Sequence, residues 1–313
     1  MTFSTRLVIV ALSSFVIANL ITSAVLPMLL KRRLPARPSA RASALLRARL
    51  LPATLATAAM VLAVASFIEF EPRAQESIGL VLQTLAGVAT FILVVSAVRA
   101  LLLQLATRRA LRGWLRSAEP LTLETIAVPA FAVESAFPIV AVVGAFRPKL
   151  IVARSVLAAC SPEELRAIFA HEQGHIAHHD NAKRALLEAA PDLLWWAPLS
   201  RRLKHQWHDA TEAAADDAAG ATANGRLHLA EALLTVARLA PVGRTSFVPT
   251  SALFRGEDIS HRVRRLLSNP IEAAAPALPT WQRVATSGAF LIVSAVALKA
   301  VHELVETAVT FLP

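Results

Sequence analysis

The chain has 313 residues, 55% of them hydrophobic, with a mean hydropathy of +0.53, an apolar excess over soluble domains that points to lipid. Its net charge of +10 is not a nucleic-acid footprint: residues 1–116 hold 14 Lys and Arg against 3 Asp and Glu, and residues 117–313 hold 18 against 19, so direct nucleic-acid binding is not expected. Cys160 is the sole cysteine, which excludes an intrachain disulfide and thiolate-rich zinc sites and leaves His and carboxylate as metal ligands.

Three uncharged apolar runs, 7–30, 50–68 and 77–98, are each near the ~20 residues that cross a bilayer core and are read as transmembrane helices. The first exceeds a signal-peptide core and ends in Lys31-Arg32-Arg33 instead of a small-residue cleavage site, so it is expected to be retained. Seven positive charges and no acid lie between Lys31 and Arg49, where 35–44 reads as a basic loop, and five arginines lie between Arg99 and Arg116. The loop between the second and third runs holds Glu69, Glu71 and Glu76 against Arg73 alone. By the positive-inside rule the basic segments are cytoplasmic, and residues 1–116 form a membrane domain with its N-terminus outside.

Residues 117–280 then form a cytoplasmic domain. Within it, "PIVAVVGAFRPKLIVA" (Pro138 to Ala153) sets two β-branched runs around a turn and predicts a hairpin. Ser161-Pro162-Glu163-Glu164 is a capping box with proline at the first helical position, so the helix it opens carries "FAHEQGHIAHHD", Phe169 to Asp180. Four residues apart, His171 and His175 present both imidazoles to one ion, and Glu172 stands beside it as the expected general base. No glycine follows before a further ligand histidine, which rules out the metzincin pattern. His178 and His179 are expected off the metal, His179 on the continuing helix, and Asp180 is expected to close that helix and support the ligands.

A second helical pattern covers 186–197, kinked at Pro191 and with Trp195-Trp196 suited to a lipid interface; its entry into the membrane is left open. A third runs from about His205 to Ala219, where "HDATEAAADDAAG" puts His208, Glu212 and Asp216 on one face. Glu212 is the expected third zinc ligand and Asp216 the acceptor of a ligand imidazole N–H. The alanines between them leave room for close approach of another helix. Two histidines and one carboxylate leave a tetrahedral zinc with one open position, the arrangement of hydrolytic sites. The chain has no tyrosine, so His208 and His261, with Arg226 and His228, are the candidates for oxyanion stabilisation. A helix over 227–239 follows. Pro270, Pro276 and Pro279 then form a linker to a fourth apolar run, 284–298, read as the last span within 281–313 and placing the C-terminus outside.

Together, "GAFRPKLIV", "SPEELRAIFAHEQGHIAHHDN" and "EAAAD" resemble the membrane zinc metallopeptidases of the β-lactam-sensing antirepressor family and, more distantly, the heat-shock membrane protease and CAAX prenyl-protease family. The resemblance implies a mainly α membrane protein of a bacterial inner membrane, with four transmembrane helices and a cytoplasmic α+β zincin-like (gluzincin) domain inserted before the last. It implies one zinc ion per chain on His171, His175 and Glu212, Glu172 as base, and Asp180 and Asp216 in support. It further implies that the strand edge Val140, Val142, Gly144 pairs with an extended protein substrate. By analogy that substrate is a transcriptional repressor. Those sensors continue into an extracellular penicillin-binding domain, and this sequence, ending at Pro313, is expected to lack it. The alternative is a non-catalytic membrane signalling or scaffold protein with a structural zinc site, disfavoured because such a site has no use for Glu172 beside an open position. A transporter is weaker still, since the spans carry Asn19, Gln83 and Gln104 but no intramembrane acid. The oligomeric state is left open.

Overall fold

The computed structural model describes residues 1–30, 34–70, 78–123, 125–193, 197–221, 224–239 and 256–268. Three long helices come first: α1 (Phe3–Leu29), α2 (Pro38–Phe70) and α3 (Leu80–Leu115). Each is long and apolar enough to cross a membrane. Phe15, Val16, Ala56, Ala89 and Ile92 pack where they meet, the two alanines allowing the backbones to come close. Large apolar side chains such as Val61, Phe91 and Leu102 face outward, as lipid favours.

The helices outrun the apolar runs that announced them. At 1.5 Å per residue, the 36 residues of α3 extend about 54 Å, well beyond a hydrocarbon core of about 30 Å. The segment 35–44, expected as a basic loop, is mostly helical instead, because α2 already begins at Pro38. Proline is favoured at a first helical position, and the Ala, Leu and Arg that follow are strong helix formers. The fourth run at 284–298, the proline linker and Trp195-Trp196 lie outside the described residues.

After the bundle comes a sheet of order β1-β2-β4-β3: β1 (Glu119–Leu121), β2 (Ala130–Val133), β3 (Val140–Val143) and β4 (Lys149–Ala153). The expected hairpin is β3–β4, antiparallel with Val142 opposite Leu150. Gly144 leaves β3 at φ 105°, where a Cβ would lie 2.9 Å from the Arg147 carbonyl oxygen, so the turn requires glycine. β2 pairs in parallel with β4, and β1 antiparallel with β2. The sheet packs its apolar residues against Ile168 and Phe169 and against Ala232 and Val236, leaving β3 as an edge strand.

Six helices complete the described chain: α4 (Arg154–Ala159), α5 (Pro162–Ala177), α6 (Asp180–Ala189), α7 (Pro198–Ala219), α8 (Gly225–Leu239) and α9 (Gly256–Ser268). Two expectations are corrected here. α5 does not continue through His179, which adopts the left-handed φ 53° and ψ 39°; Asp180 therefore opens α6 and does not close α5. An aspartate in a first turn is favoured by the exposed N–H groups there. α6 in turn stops at Ala189, so Pro191 itself lies outside any helix and kinks none, since the residue before a proline is driven out of helical geometry.

That connection is seated against the membrane helices. Asn19 Nδ2 donates to the Pro191 carbonyl (3.2 Å) and its Oδ1 accepts from Leu193 N (3.1 Å), while Ser96 Oγ donates to Ala190 O (3.4 Å). Arg49 of α2 ion-pairs with Asp192 at 2.5 Å and donates from Nε to Ser200 Oγ at 2.9 Å. Asn19, Arg49 and Asp192 are all buried.

Candidate metal centre

The site is assembled by fixing α5 and then laying α7 across it. Ser161 Oγ accepts from Glu164 N (3.2 Å), and Glu164 Oε2 accepts from Ser161 N (2.6 Å), closing the capping box. The other Glu164 oxygen accepts from Thr235 Oγ1 at 2.8 Å, which ties the start of α5 to α8. α5 and α7 meet closely at Gly174, where a Cβ would stand 3.2 Å from Ala215 Cα. The alanine-rich segment between Glu212 and Asp216 thus meets the glycine between the two motif histidines.

This crossing brings His171, His175 and Glu212 together, the one group among the described residues whose His, Cys, Asp or Glu atoms could hold a metal. His171 Nε2 lies 3.2 Å from His175 Nε2 and 3.6 Å from Glu212 Oε2, and His175 Nε2 lies 3.3 Å from Glu212 Oε1. Zinc bonds of about 2.0–2.1 Å in a tetrahedron place neighbouring ligand atoms about 3.3–3.4 Å apart, so the three separations fit one ion. Glu212 is 2% exposed, yet neither of its oxygens makes a hydrogen bond of good geometry. A buried carboxylate with unused lone pairs, facing two imidazole nitrogens, is the donor set a divalent cation satisfies.

Around this triangle stand the supporting groups. Asp180 Oδ2 accepts from His175 Nδ1 at 2.8 Å, and Asp216 Oδ1 lies 3.0 Å from His171 Nδ1, out of hydrogen-bond alignment. Each ring therefore turns Nε2 toward Glu212. Glu172, 3% exposed, accepts from Val142 N at 3.1 Å, and Asn181 Nδ2 donates to the Val142 carbonyl at 2.7 Å. The outward polar groups of the β3 edge are thereby held at Val142, with Val140 two residues back on the same side, whereas Gly144 lies beyond the strand at φ 105° and is not part of that edge.

The electrostatics follow from burial and pairing. Burial raises the Glu172 carboxyl above its ordinary value more than His175 and His171 lower it. Burial acts the same way on Glu212, but His175, His171 and Arg262 outweigh it and hold that carboxyl well below the usual range. For His175, burial opposes the proton, yet Glu212 and Asp180 push it up to about 10. The carboxylates packed around the imidazoles favour positive charge where the two Nε2 atoms meet.

Of the oxyanion candidates, His208 Nδ1 is 3.9 Å from Glu212 Oε1. His261 is exposed and lines a cavity between α7 and α9 with Asp209, Glu212, Asp216, Arg262 and Arg265. Arg226 is engaged with the carbonyls of Leu266 and Arg265, and His228 with Glu231, so neither is brought to the ligand triangle. His178 Nδ1 satisfies the Gly174 carbonyl at 2.8 Å. The residues that sequence reasoning missed are Asn181 and Arg262. Asn181 had a signal in its place beside Asp180. Arg262, 46 positions from Asp216, had none.

A family model described as BlaR1 peptidase M56 matches residues 14–266, from within α1 to within α9 and far more than half of the chain. No curated protein matches.

Proposed function

The chain belongs to the BlaR1 peptidase M56 family, and from that premise we propose that it is a membrane-anchored zinc endopeptidase acting on a cytoplasmic or membrane-associated protein. The observation that carries this reading is the His171, His175 and Glu212 triangle with Glu172 beside it. A zinc ion held by those three residues would supply Lewis acidity, polarising the scissile carbonyl and acidifying the attacking water.

Glu172 takes a proton from that water and returns it to the leaving amine. A carboxyl raised by burial suits the task, because it must hold the proton between the two transfers. Asp180 orients the His175 imidazole through its hydrogen bond, and Asp216 faces the His171 Nδ1 at 3.0 Å. The β3 edge receives the substrate at Val140, next to the position already held by Glu172 and Asn181. Arg37, Arg41 and Arg47 near the start of α2, with Arg108, Arg109 and Arg112 near the end of α3, support a cytoplasmic site by the positive-inside rule. Family kinship suggests a transcriptional repressor as the substrate.

Glu172→Gln tests the reading. The variant should retain zinc while cleavage falls by at least about 10²–10⁴-fold. Protein N-termini that arise in cells expressing the wild type but not the variant would identify the substrate. Undiminished cleavage by Glu172→Gln, or no wild-type-specific N-termini with zinc bound, would leave a structural zinc site as the better account.

A further inference from the structure

We propose that Arg262 of α9 is a positioning residue of the metal centre: its guanidinium holds Glu212 and Asp216 in place and sets a positive charge beside the ligand carboxylate. This rests on the metal-centre reading above.

The geometry is a fork reaching three oxygens. Nη2 donates to Asp216 Oδ1 at 2.6 Å and Nε to Asp216 Oδ2 at 3.2 Å, while Nη1 lies 3.2 Å from Glu212 Oε2. Arg262 is only 4% exposed, and a planar guanidinium with fixed donors suits such multiple engagement where an ammonium does not. α9 is itself anchored. Arg226 of α8 donates to the Leu266 and Arg265 carbonyls at 2.9 and 3.0 Å. Arg265 in turn donates to the Ala213 carbonyl at 3.0 Å and pairs with Asp217. α8 thus steadies α9, α9 steadies α7, and α7 presents Glu212.

The placement of charge gives the same answer. Glu172, Glu212 and Asp216 are buried carboxylates. Asp180 has Lys183 at 3.7 Å, and Arg265 pairs with Asp217 and lies 3.6 Å from Asp216 Oδ2. Arg262 is the guanidinium that reaches both Asp216 and the ligand carboxylate of Glu212. Removing it takes that positive charge from beside a buried ligand, which favours displacement of Glu212 over a compact site.

The test uses the full chain purified in detergent, with zinc affinity read by chelator competition and ligand geometry read from the visible absorption of the Co2+-substituted protein. Arg262→Gln should lower zinc affinity by about 10–100-fold and alter the Co2+ spectrum. Arg262→Lys, which keeps the charge and loses the fork, should fall between it and the wild type. Arg154→Gln, which removes the arginine partner of the exposed Glu119 and Glu134 away from the site, should keep zinc affinity near wild type. If Arg262→Gln does not fold, Arg262→Lys decides. Wild-type affinity and spectrum in the folded Arg262 variants overturn this inference alone. A wild-type chain that takes up no divalent metal overturns both readings, whereas metal binding with no cleavage overturns only the peptidase.

Discussion

Asp180 acts on the site through a ligand without needing to be one. By accepting from His175 Nδ1 at 2.8 Å it fixes the proton on that nitrogen and leaves Nε2 toward His171 and Glu212. Asp180→Ala should therefore weaken zinc binding by about 10–100-fold. The measurement is chelator competition on the purified chain, and an affinity equal to wild type would remove Asp180 from the centre. The two histidines and Glu172 were legible in the sequence because a helix makes their relation local: spacing alone sets which face each side chain occupies. Glu212 was legible only once the first pair demanded a third ligand. Arg262 was not, because a guanidinium on one helix has no sequence-level relation to a carboxylate on another until α8 and α9 are packed.

At the level of elements, the start of α5 illustrates a strong local signal with a measurable pH signature. Burial raises the Glu164 carboxyl, but hydrogen bonds from Ser161 and Thr235 outweigh it and leave it below the usual range. A depressed carboxylate contributes stability that is present above its unfolded pKa of about 4.3 and is lost as pH falls through the folded value. Glu164→Gln should accordingly flatten the acid limb of a melting-temperature profile below about pH 4.3, with Ser161→Ala costing about 1 kcal/mol by denaturant titration; parallel acid limbs for Glu164→Gln and wild type would contradict this. The capping box was readable because four consecutive residues carry it. The end of α5 was not, since the left-handed His179 carries no turn residue of its own, and its conformation is what turns Asp180 back toward His175. β1 and β2 were missed for a related reason. β1 reads Glu-Pro-Leu and β2 is buried at Ala130, Ala132 and Val133, so neither shows the alternation that marks a half-exposed strand.

For the molecule as a whole, the membrane helices and the metal helices are joined by contacts as buried as either core. Arg49 and Asp192 form an ion pair with side-chain exposures of 1% and 0%. Removing one partner strands the other charge, so Arg49→Ala should destabilise the chain by about 3–5 kcal/mol, whereas Arg49→Met with Asp192→Leu should recover most of that loss. Chemical denaturation in detergent, followed by tryptophan fluorescence, measures both, and an unaffected single variant would show that the pair contributes nothing. Three spans were visible in the sequence because lipid demands long apolar runs. The grip of Asn19 and Arg49 on the connection between α6 and α7 was not visible, because polar residues in or near a span announce a partner without naming it.

That grip also sets a distance. Ser200, hydrogen-bonded to Arg49, lies in the first turn of α7, and Glu212 lies twelve residues further along the same unbroken helix, about 18 Å away. α7 is in effect a ruler fastened at one end to the membrane bundle. Whatever bond is cut must be presented at the height that the ruler marks.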